Sequence, residues 1–501
     1  MITRRQFGLG ALAVGTLGFS SAFDYSARST FDEFDRAFHA SSPVGHNERG
    51  GLAWGHAYAM TALVRMYEAY KDTHYLDRLV TVIDLVLAQR DSERGAADHR
   101  GLSLPAWRAL APYTLGRVTL KDTAGQDLIE LRTSLSYADN AVATVTAVDS
   151  PGKWKLEVKN TRHNLTTTYA YLSLDPLSNY YAIKQINDAY PTATTRVTAR
   201  ELRATPVGNT RPAAGAVSFV SDPVIFSVHT GMITYPMAAF ARVVLTDPAL
   251  SAIPKYHAKA LEYLDAAKQA AAVHDHEWRQ TADGYGYFVW NKGTPLPHDG
   301  VEQPTNQSLA LGKTYCEIAA ATGDPLYRDR AERMARTFRR ELTGAAATWT
   351  YWPKFGHAHR GWSRAANLSE YSPSLTPQQQ IEDLSHGAID VEFAARAHRS
   401  GIHFTRADLT RFSRTYTDNL IAPTGADGHP TAYMRIDGTG STTNAGQYLQ
   451  APRWLAGAAA ADRRPFTHSR SIYDARRVQP QQGSFVLGVA YLNWYAVTQG
   501  V

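Results

Sequence analysis

Aspartate-containing turns recur along the chain and constrain its architecture. Asp72, Asp247 and Asp324 each follow a stretch with apolar residues at helical spacing, and each precedes a second such stretch. A proline comes directly after Asp247 and Asp324. An aspartate can accept the first backbone N–H groups of a helix, and proline is favoured in the first helical turn. The repetition therefore predicts stacked helical hairpins.

The predicted helices fall into two classes. Segments rich in small and aromatic residues are expected at 54–68, 229–245, 306–322, 383–400, 444–459 and 484–497. More charged partners are expected at 75–90, 254–273, 327–342 and 406–420. This contrast predicts one ring of helices buried inside another, a mainly α fold of the (α/α)6-like toroid type. The starts of the inner helices should gather at one concave mouth, where we expect the functional site.

A different periodicity interrupts the helical pattern between residues 113 and 228. Alternating, β-branched residues occur at 115–120, 141–148 and 154–158, with turn residues between them. Such alternation predicts strands and an inserted β-sandwich-like domain. The expected organisation is a toroid in two parts, 30–112 and 229–501, separated by the β-rich insert 113–228.

The amino terminus has the pattern of an export signal. Thr3-Arg4-Arg5-Gln6-Phe7 precedes an uncharged stretch rich in glycine, alanine and leucine, and small residues follow at 20–22. This order predicts a twin-arginine signal peptide over residues 1–22. We therefore expect a secreted, periplasmic or cell-envelope protein. The rest of the chain contains no long apolar segment, so no membrane span is expected in the mature protein.

Composition excludes several functional classes. The chain has 52 Lys and Arg against 46 Asp and Glu, a net charge of +6, but no basic run typical of nucleic-acid binding. Its one cysteine, Cys316, excludes an internal disulfide and a thiolate metal cluster. No motif for a cofactor occurs, so none is expected. The sequence does not determine the oligomeric state.

These features together resemble a broad class of bacterial enzymes. The turn at 323–327 has the form Gly-Asp-Pro-x-Tyr, and it accompanies paired helices, tyrosine- and tryptophan-rich loops and an export signal. In these respects the chain is similar to α/α-toroid carbohydrate-active enzymes, which include polysaccharide lyases and glycoside hydrolases. The resemblance is one of architecture. It implies a polysaccharide substrate. Because no catalytic motif of a particular family is shared, the candidate residues are chosen from their chemistry.

The string 381–390 has the strongest chemical pattern. Glu382 and His386 lie four residues apart, Asp383 and His386 lie three apart, and a predicted inner helix begins here. These spacings place the three side chains on one helix face. A helix start stabilises carboxylates and lowers the pKa of a nearby imidazole, which suits a general base. Helix capping by Asp383 with a core histidine is the alternative.

Other candidates lie beside the starts of inner helices or in aromatic loops. Catalytic Glu302 and sugar-binding Asn306 precede one inner helix, while His229 and His56 lie on two others. Aromatic rings can stack on the apolar face of a sugar, although the same residues also pack between helices. The predicted substrate-binding residues of the loops are Trp290, Trp349, Trp352, Lys354 and Arg360, and Tyr351 is a further catalytic candidate. His274 and His276 lack a complete metal motif, so no metal is expected.

Two reactions fit this set of residues. In β-elimination on an acidic, uronate-containing glycan, Asn306, His229 or an arginine would neutralise the carboxylate, and His386 or Tyr351 would remove the C5 proton. In hydrolysis, Glu302 would act with Glu382 or Asp383 as a carboxylate pair. A non-catalytic glycan-binding envelope protein is a third alternative. Both reactions depend on the prediction that His386 and the Glu302 loop face each other across a sugar-sized hollow where the inner helices begin.

Overall fold

The computed structural model describes residues 23–190, 192–207, 210–458 and 462–500. The predicted signal peptide lies outside these residues and stays a prediction. The α-helices within the described part are α1 (Arg28–Ser41), α2 (Ala57–Tyr70), α3 (His74–Leu87), α4 (Asp91–Arg94), α5 (Ala182–Ala189), α6 (Ser227–Leu245), α7 (Pro248–Ser251), α8 (Pro254–Ala272), α9 (Thr305–Thr322), α10 (Pro325–Glu341), α11 (His357–Arg360), α12 (Leu384–Arg399), α13 (Arg406–Arg414), α14 (Ala445–Tyr448), α15 (Arg464–Arg476) and α16 (Gly483–Gln499).

Six inner segments contact one another in a closed ring. In cyclic order they are α2, α6, α9, α12, the 3-10 segment Ala451–Gly457 and α16, which packs against α2 again. Each has an outer partner: α3, α8, α10, α13, α15 and α1, respectively. The mainly α, (α/α)6-like toroid predicted from the sequence is therefore confirmed. Within the described chain, no helix is both long and apolar enough to cross a membrane.

The aspartate turns fold as their sequence predicts. Asp72, Asp247 and Asp324 each accept a hydrogen bond from the backbone N–H two residues later, at 2.9, 3.0 and 3.0 Å. Pro248 and Pro325 occupy the first turn of their helices. The N–H groups of the first helical turn have no partner within the helix, and proline has no N–H. A proline at this position therefore starts the next helix without the loss of a backbone hydrogen bond.

The fifth inner segment departs from the prediction of a helix over 444–459. The short helix α14 ends at Tyr448, and the chain continues as the 3-10 segment Ala451–Gly457, with Pro452 in its first turn. A proline inside an α-helix removes one hydrogen bond and clashes with the carbonyl four residues earlier, which explains the break. Two outer helices, α1 and α15, were not predicted as separate elements.

Strands β2 to β10 lie within the insert, and β1 lies just before it. These are β1 (Arg108–Ala109), β2 (Gly116–Lys121), β3 (Asp127–Thr133), β4 (Ala141–Ala147), β5 (Trp154–Asn160), β6 (Leu165–Leu172), β7 (Val197–Glu201), β8 (Gly215–Ser218), β9 (Val220–Ser221) and β10 (Val224–Ile225). Sheets of order β7-β3-β2-β9 and β6-β5-β4-β8 share one apolar core. The predicted β-sandwich-like insert is thus confirmed. β1 pairs with β10, so the chain leaves and re-enters the toroid side by side.

Close helix contacts and a small hairpin complete the scaffold. Strands β11 (Trp278–Gln280) and β12 (Gly286–Phe288) pair antiparallel before α9. Gly231 lies where α6 approaches α9, and a Cβ atom at this position would lie 2.3 Å from the carbonyl carbon of Ala310. Glycine is therefore required for the two inner helices to pack at this distance.

A buried ion network fills the middle of the ring. Glu392 of α12 accepts hydrogen bonds from Lys313 Nζ of α9 at 2.7 Å and from Arg453 Nε at 3.0 Å. Burial works to raise the pKa of Glu392, but attraction to Arg453 and Lys313 outweighs it and lowers that pKa to about 2. Arg453 also donates to the carbonyl oxygen of Ser385 at 3.2 Å, near the start of α12. The network thus joins α9, α12 and the 3-10 segment Ala451–Gly457, and one of its bonds lies next to the start of α12.

Candidate functional site

The segment before α12 is fixed by backbone pairing on both sides. Glu382 N–H donates to the Trp349 carbonyl at 3.0 Å, and Ile381 forms a bridge with Thr350. On the other side Asp383 pairs antiparallel with Arg435. Two chain segments far away in sequence thereby hold the string 381–386 at the mouth of the toroid.

Asp383 and His386 form a hydrogen-bonded acid–imidazole pair. Asp383 caps α12, since its Oδ1 accepts from the His386 backbone N–H at 3.0 Å and from Ser385 Oγ at 2.9 Å. Its Oδ2 lies 2.9 Å from His386 Nδ1. A carboxylate in this position keeps the proton on Nδ1, so that Nε2 becomes the basic nitrogen of the ring. The His386 side chain is 27% exposed, whereas Asp383 is 2% exposed.

Glu382 lies behind this pair as a fully buried acid. Its Oε2 accepts from Asn306 Nδ2 at 3.0 Å and its Oε1 from the Asp383 backbone N–H at 2.8 Å. Its Oε1 also lies 4.0 Å from His386 Nδ1. Burial first, and the charge of Asp383 second, raise the pKa of Glu382 to about 7. The neutral, protonated form of Glu382 is therefore favoured to a much higher pH than in an exposed glutamate.

Asp390 extends the acidic cluster two helical turns into α12. Its Oδ2 accepts from Trp349 Nε1 at 2.8 Å, while its buried Oδ1 has no hydrogen-bond partner among the described residues. Burial first, and the charge of Glu382 next, raise the pKa of Asp390 well above its ordinary value. Trp349 thus has a structural role, since its indole anchors a buried carboxyl group.

The predicted sugar-stacking tryptophans lie in the core instead. Trp349 is 1%, Trp352 4% and Trp290 5% exposed. Trp349 packs against Phe338, Phe412 and Trp454. Rings enclosed in this way present no open face to a ligand, so their predicted stacking role is not supported by their position. Tyr351 is different: it is partly exposed, and its ring centroid lies 5.6 Å from that of His386.

Glu302 occupies a separate position from the acidic cluster. Its Oε2 accepts from the His357 backbone N–H at 2.8 Å and lies 3.1 Å from His357 Nδ1. No hydrogen bond or ion pair within the described ranges joins Glu302 to Glu382 or His386. Glu302 and Asp383 thus each hold a different histidine, and the juxtaposition of His386 with Glu302 across a hollow stays a prediction.

Three other polar candidates are enclosed by protein. Asn306 is 1% exposed and donates to Glu382, so it holds that acid in place and has no surface for a substrate carboxylate. His229 packs among Trp54, Tyr113 and Phe226, and burial lowers its pKa to about 3. Burial, with His39 nearby, likewise lowers the pKa of His56 to about 4. Both histidines are therefore neutral core residues.

The remaining candidates lie at the surface or in a structural network. Lys354 and Arg360 are exposed, and Lys354 Nζ donates to the Glu341 carbonyl at 3.4 Å. His274 is buried, with Nδ1 2.8 Å from Glu277 and Nε2 2.9 Å from Thr230. Because both of its ring nitrogens have protein partners, His274 has no nitrogen to offer a metal.

One group of donors at the mouth has the composition of a cation site. Glu382, Asp383 and His386 each offer a ligand atom, and these atoms lie within 4.8 Å of one another. Two carboxylates and an imidazole could hold a divalent ion such as manganese or zinc. Each of the three already has a protein partner: Asn306 for Glu382, and Asp383 and His386 for each other.

Two residues at the mouth were missed by sequence reasoning. Arg435 reaches Asp383 through the backbone pairing described above, and Gln447 accepts from the Ser385 N–H at 3.0 Å. Arg435 lies 52 residues after Asp383, and Gln447 lies 62 residues after Ser385. No local pattern marks them.

No protein-family model and no curated sequence matches the chain. Among solved structures, the chain is similar to a family 76 glycoside hydrolase from a bovine Bacteroides thetaiotaomicron strain. The two share 9% identity over 77% of this chain and 99% of that one, with a TM-score of 0.29.

Proposed function

We propose that this chain is an exported enzyme that cleaves an acidic glycan by β-elimination, with His386 as the general base. The Asp383–His386 pair at the mouth of the toroid carries this proposal. Asp383 orients the imidazole, and the partly exposed ring can meet a substrate. Oriented general bases of this kind accelerate proton transfer by about 10²- to 10⁴-fold. Export rests on the sequence pattern of residues 1–22.

Each step of the proposed reaction has a named proton acceptor or donor. His386 Nε2 takes the C5 proton of a uronate, and the released electron pair forms the C4–C5 double bond. The C4–O glycosidic bond breaks, and the leaving oxygen receives a proton from Tyr351 or from the newly formed imidazolium. Asp383 stabilises that imidazolium through the 2.9 Å contact with Nδ1. The products are an unsaturated uronate and a new chain end.

Hydrolysis is the second candidate, and the acidic pair supports it. Carboxylate oxygens of Glu382 and Asp383 lie within 4.8 Å of each other, near the separation of about 5 Å of retaining glycosidases. The pKa of about 7 at Glu382 suits a general acid. Glu382 is, however, fully buried, with both oxygens bonded to protein. Elimination by the more accessible histidine is therefore favoured.

One experiment separates these reactions. The mature protein is incubated with a panel of polyuronates and neutral glycans, and both ultraviolet absorbance and reducing ends are measured. Elimination gives both signals, because the product is conjugated, whereas hydrolysis gives reducing ends alone. A binding protein gives neither signal.

Variants then test the role of the base. His386→Ala should abolish the absorbance signal, and Tyr351→Phe should lower it. His398→Ala is the matched control, since His398 lies on the same helix three turns away and contacts the Phe404 carbonyl. Cleavage of neutral glycans without the absorbance signal, or full activity in His386→Ala, would contradict elimination by His386.

A further inference from the structure

The arginine paired with Asp383 occupies an unusual position. Leu384 N–H donates to the Met434 carbonyl at 2.9 Å, and Ile436 N–H donates to the Glu382 carbonyl at 3.1 Å. These two bonds flank Asp383 and Arg435, which makes them a non-hydrogen-bonded antiparallel pair. In such pairs the two side chains leave the same face of the ladder, with Cβ atoms about 4.5 to 5.5 Å apart. The Arg435 side chain therefore begins beside the Asp383–His386 pair.

The guanidinium of Arg435 has no carboxylate partner. Across the described ranges, no aspartate or glutamate lies within 4.0 Å of it, and its buried Nε lacks a hydrogen-bond acceptor. Arg435 is partly exposed. Most other arginines near the inner ring are paired: Arg453 with Glu392, and Arg242 and Arg396 with Glu317. A covered Nε without an acceptor is costly, and an anion that accepts from the planar fork would remove that cost.

The backbone holds this arginine in place. Arg435 N–H donates to the Thr439 carbonyl at 3.0 Å, and Gly438 N–H donates back to the Arg435 carbonyl at 3.1 Å, which closes a tight turn. Gly438 has φ +82°, a conformation that favours glycine. The turn and the pairing with 382–384 fix the Cα of Arg435 relative to the base. A preorganised cation loses little entropy when it binds a ligand.

From this juxtaposition we propose that Arg435 binds the carboxylate of the substrate uronate beside His386 and sets the enzyme's preference for acidic sugars. This inference rests on the proposed function. The guanidinium would donate two hydrogen bonds to the carboxylate and draw electron density from C5, which makes the C5 proton more acidic. Arg435 thereby takes the task for which the sequence offered Asn306, His229 or an arginine. The Asn306 amide is occupied by Glu382, and His229 is a neutral core residue.

The test measures binding in protein that does not turn over. His386→Gln is titrated with a uronate oligosaccharide and with the same oligosaccharide after its carboxyl groups are reduced to alcohols. Charge-assisted hydrogen bonds of this kind contribute a preference of about 10- to 100-fold for the uronate form. Adding Arg435→Ala should abolish that preference and leave affinity for the reduced form unchanged. Arg435→Lys keeps the positive charge but lacks the paired N–H donors of the guanidinium, so it should retain part of the preference for the uronate form.

Controls make the outcomes distinguishable. Arg414→Ala removes an exposed arginine from outer helix α13 and should keep the full preference. Thermal unfolding of each variant checks that the fold survives. If the enzyme eliminates uronates but Arg435→Ala keeps the preference, this inference fails alone. If no uronate is bound or eliminated by the parent protein, the proposed function and this inference fail together.

Discussion

Replacing Glu382 by glutamine should change how stability depends on pH. Glutamine keeps the shape of the side chain and an oxygen for the Asp383 N–H, and the Asn306 amide can rotate to accept from the new NH2 group. The pKa of Glu382 rises from 4.5 to about 7 on folding. The folded protein therefore binds a proton more tightly than the unfolded chain does between these values.

The sign and size of the effect follow from this difference. The contribution is fully present below pH 4.5 and is lost as the pH rises through about 7, where the folded carboxyl ionises. Each pKa unit corresponds to about 1.4 kcal/mol, so the loss is about 3 kcal/mol. The glutamine of Glu382→Gln cannot ionise, so the variant does not lose this contribution. Its free energy of unfolding should therefore rise by about 3 kcal/mol relative to that of the parent as the pH is raised from acid to mildly alkaline. Asp390 is still present in the variant, and its raised pKa causes a further decrease of the free energy of unfolding as the pH rises.

The assay is urea unfolding at a series of pH values, followed by tryptophan fluorescence. Glu157→Gln, a change at a partly exposed position of β5, is the matched control and should follow the parent curve. Parallel loss of stability in the parent and in Glu382→Gln would refute the conclusion that folding raises the pKa of Glu382.

Four further expectations follow from the structure. Asp383→Asn should preserve the helix cap but lower kcat by about 10²- to 10⁴-fold, since it no longer stabilises the imidazolium; unchanged kcat would exclude Asp383 as the orienting group. Dialysis against a chelator should leave turnover unchanged, and loss of activity restored by manganese would instead assign a metal to Glu382, Asp383 and His386. Glu392→Ala should lower the free energy of unfolding by about 3 to 5 kcal/mol, because it leaves two buried cations without a carboxylate. Gly231→Ala should cost at least about 1 to 3 kcal/mol through overpacking, and equal urea midpoints for variant and parent would contradict the close contact of α6 with α9.

Helical periodicity predicted the toroid well because its cause is local. The apolar stripes and the Asp-Pro turns reflect capping and packing within one hairpin, so a single stretch of sequence contains the whole signal. The exception at 444–459 has a local cause as well. Pro452 ends the regular helix, and the residues were assigned by their small and apolar character alone.

The candidate site was only partly predictable because its partners are distant in sequence. The Asp383–His386 pair is separated by three residues, and helix geometry brought it together as expected. Glu302 pairs with His357 at a separation of 55 residues, and Arg435 reaches Asp383 from 52 residues away. Aromatic content indicated tryptophan-rich loops but gave no information on which ring faces lie open. Trp349 was therefore predicted to bind sugar in an open loop, whereas its ring lies in the core.

The buried ion network limits how a long ligand could pass through the toroid. Arg453 spans from Glu392 to the carbonyl of Ser385, so buried and paired charged side chains lie immediately next to the start of the helix that holds the proposed base. A polymer that passed between these inner segments would have to separate the buried ion pairs, which is costly. On the proposed function, a sugar chain would therefore enter and its fragments would leave at the same end of the toroid, and each cut would be followed by release or by retreat of the chain.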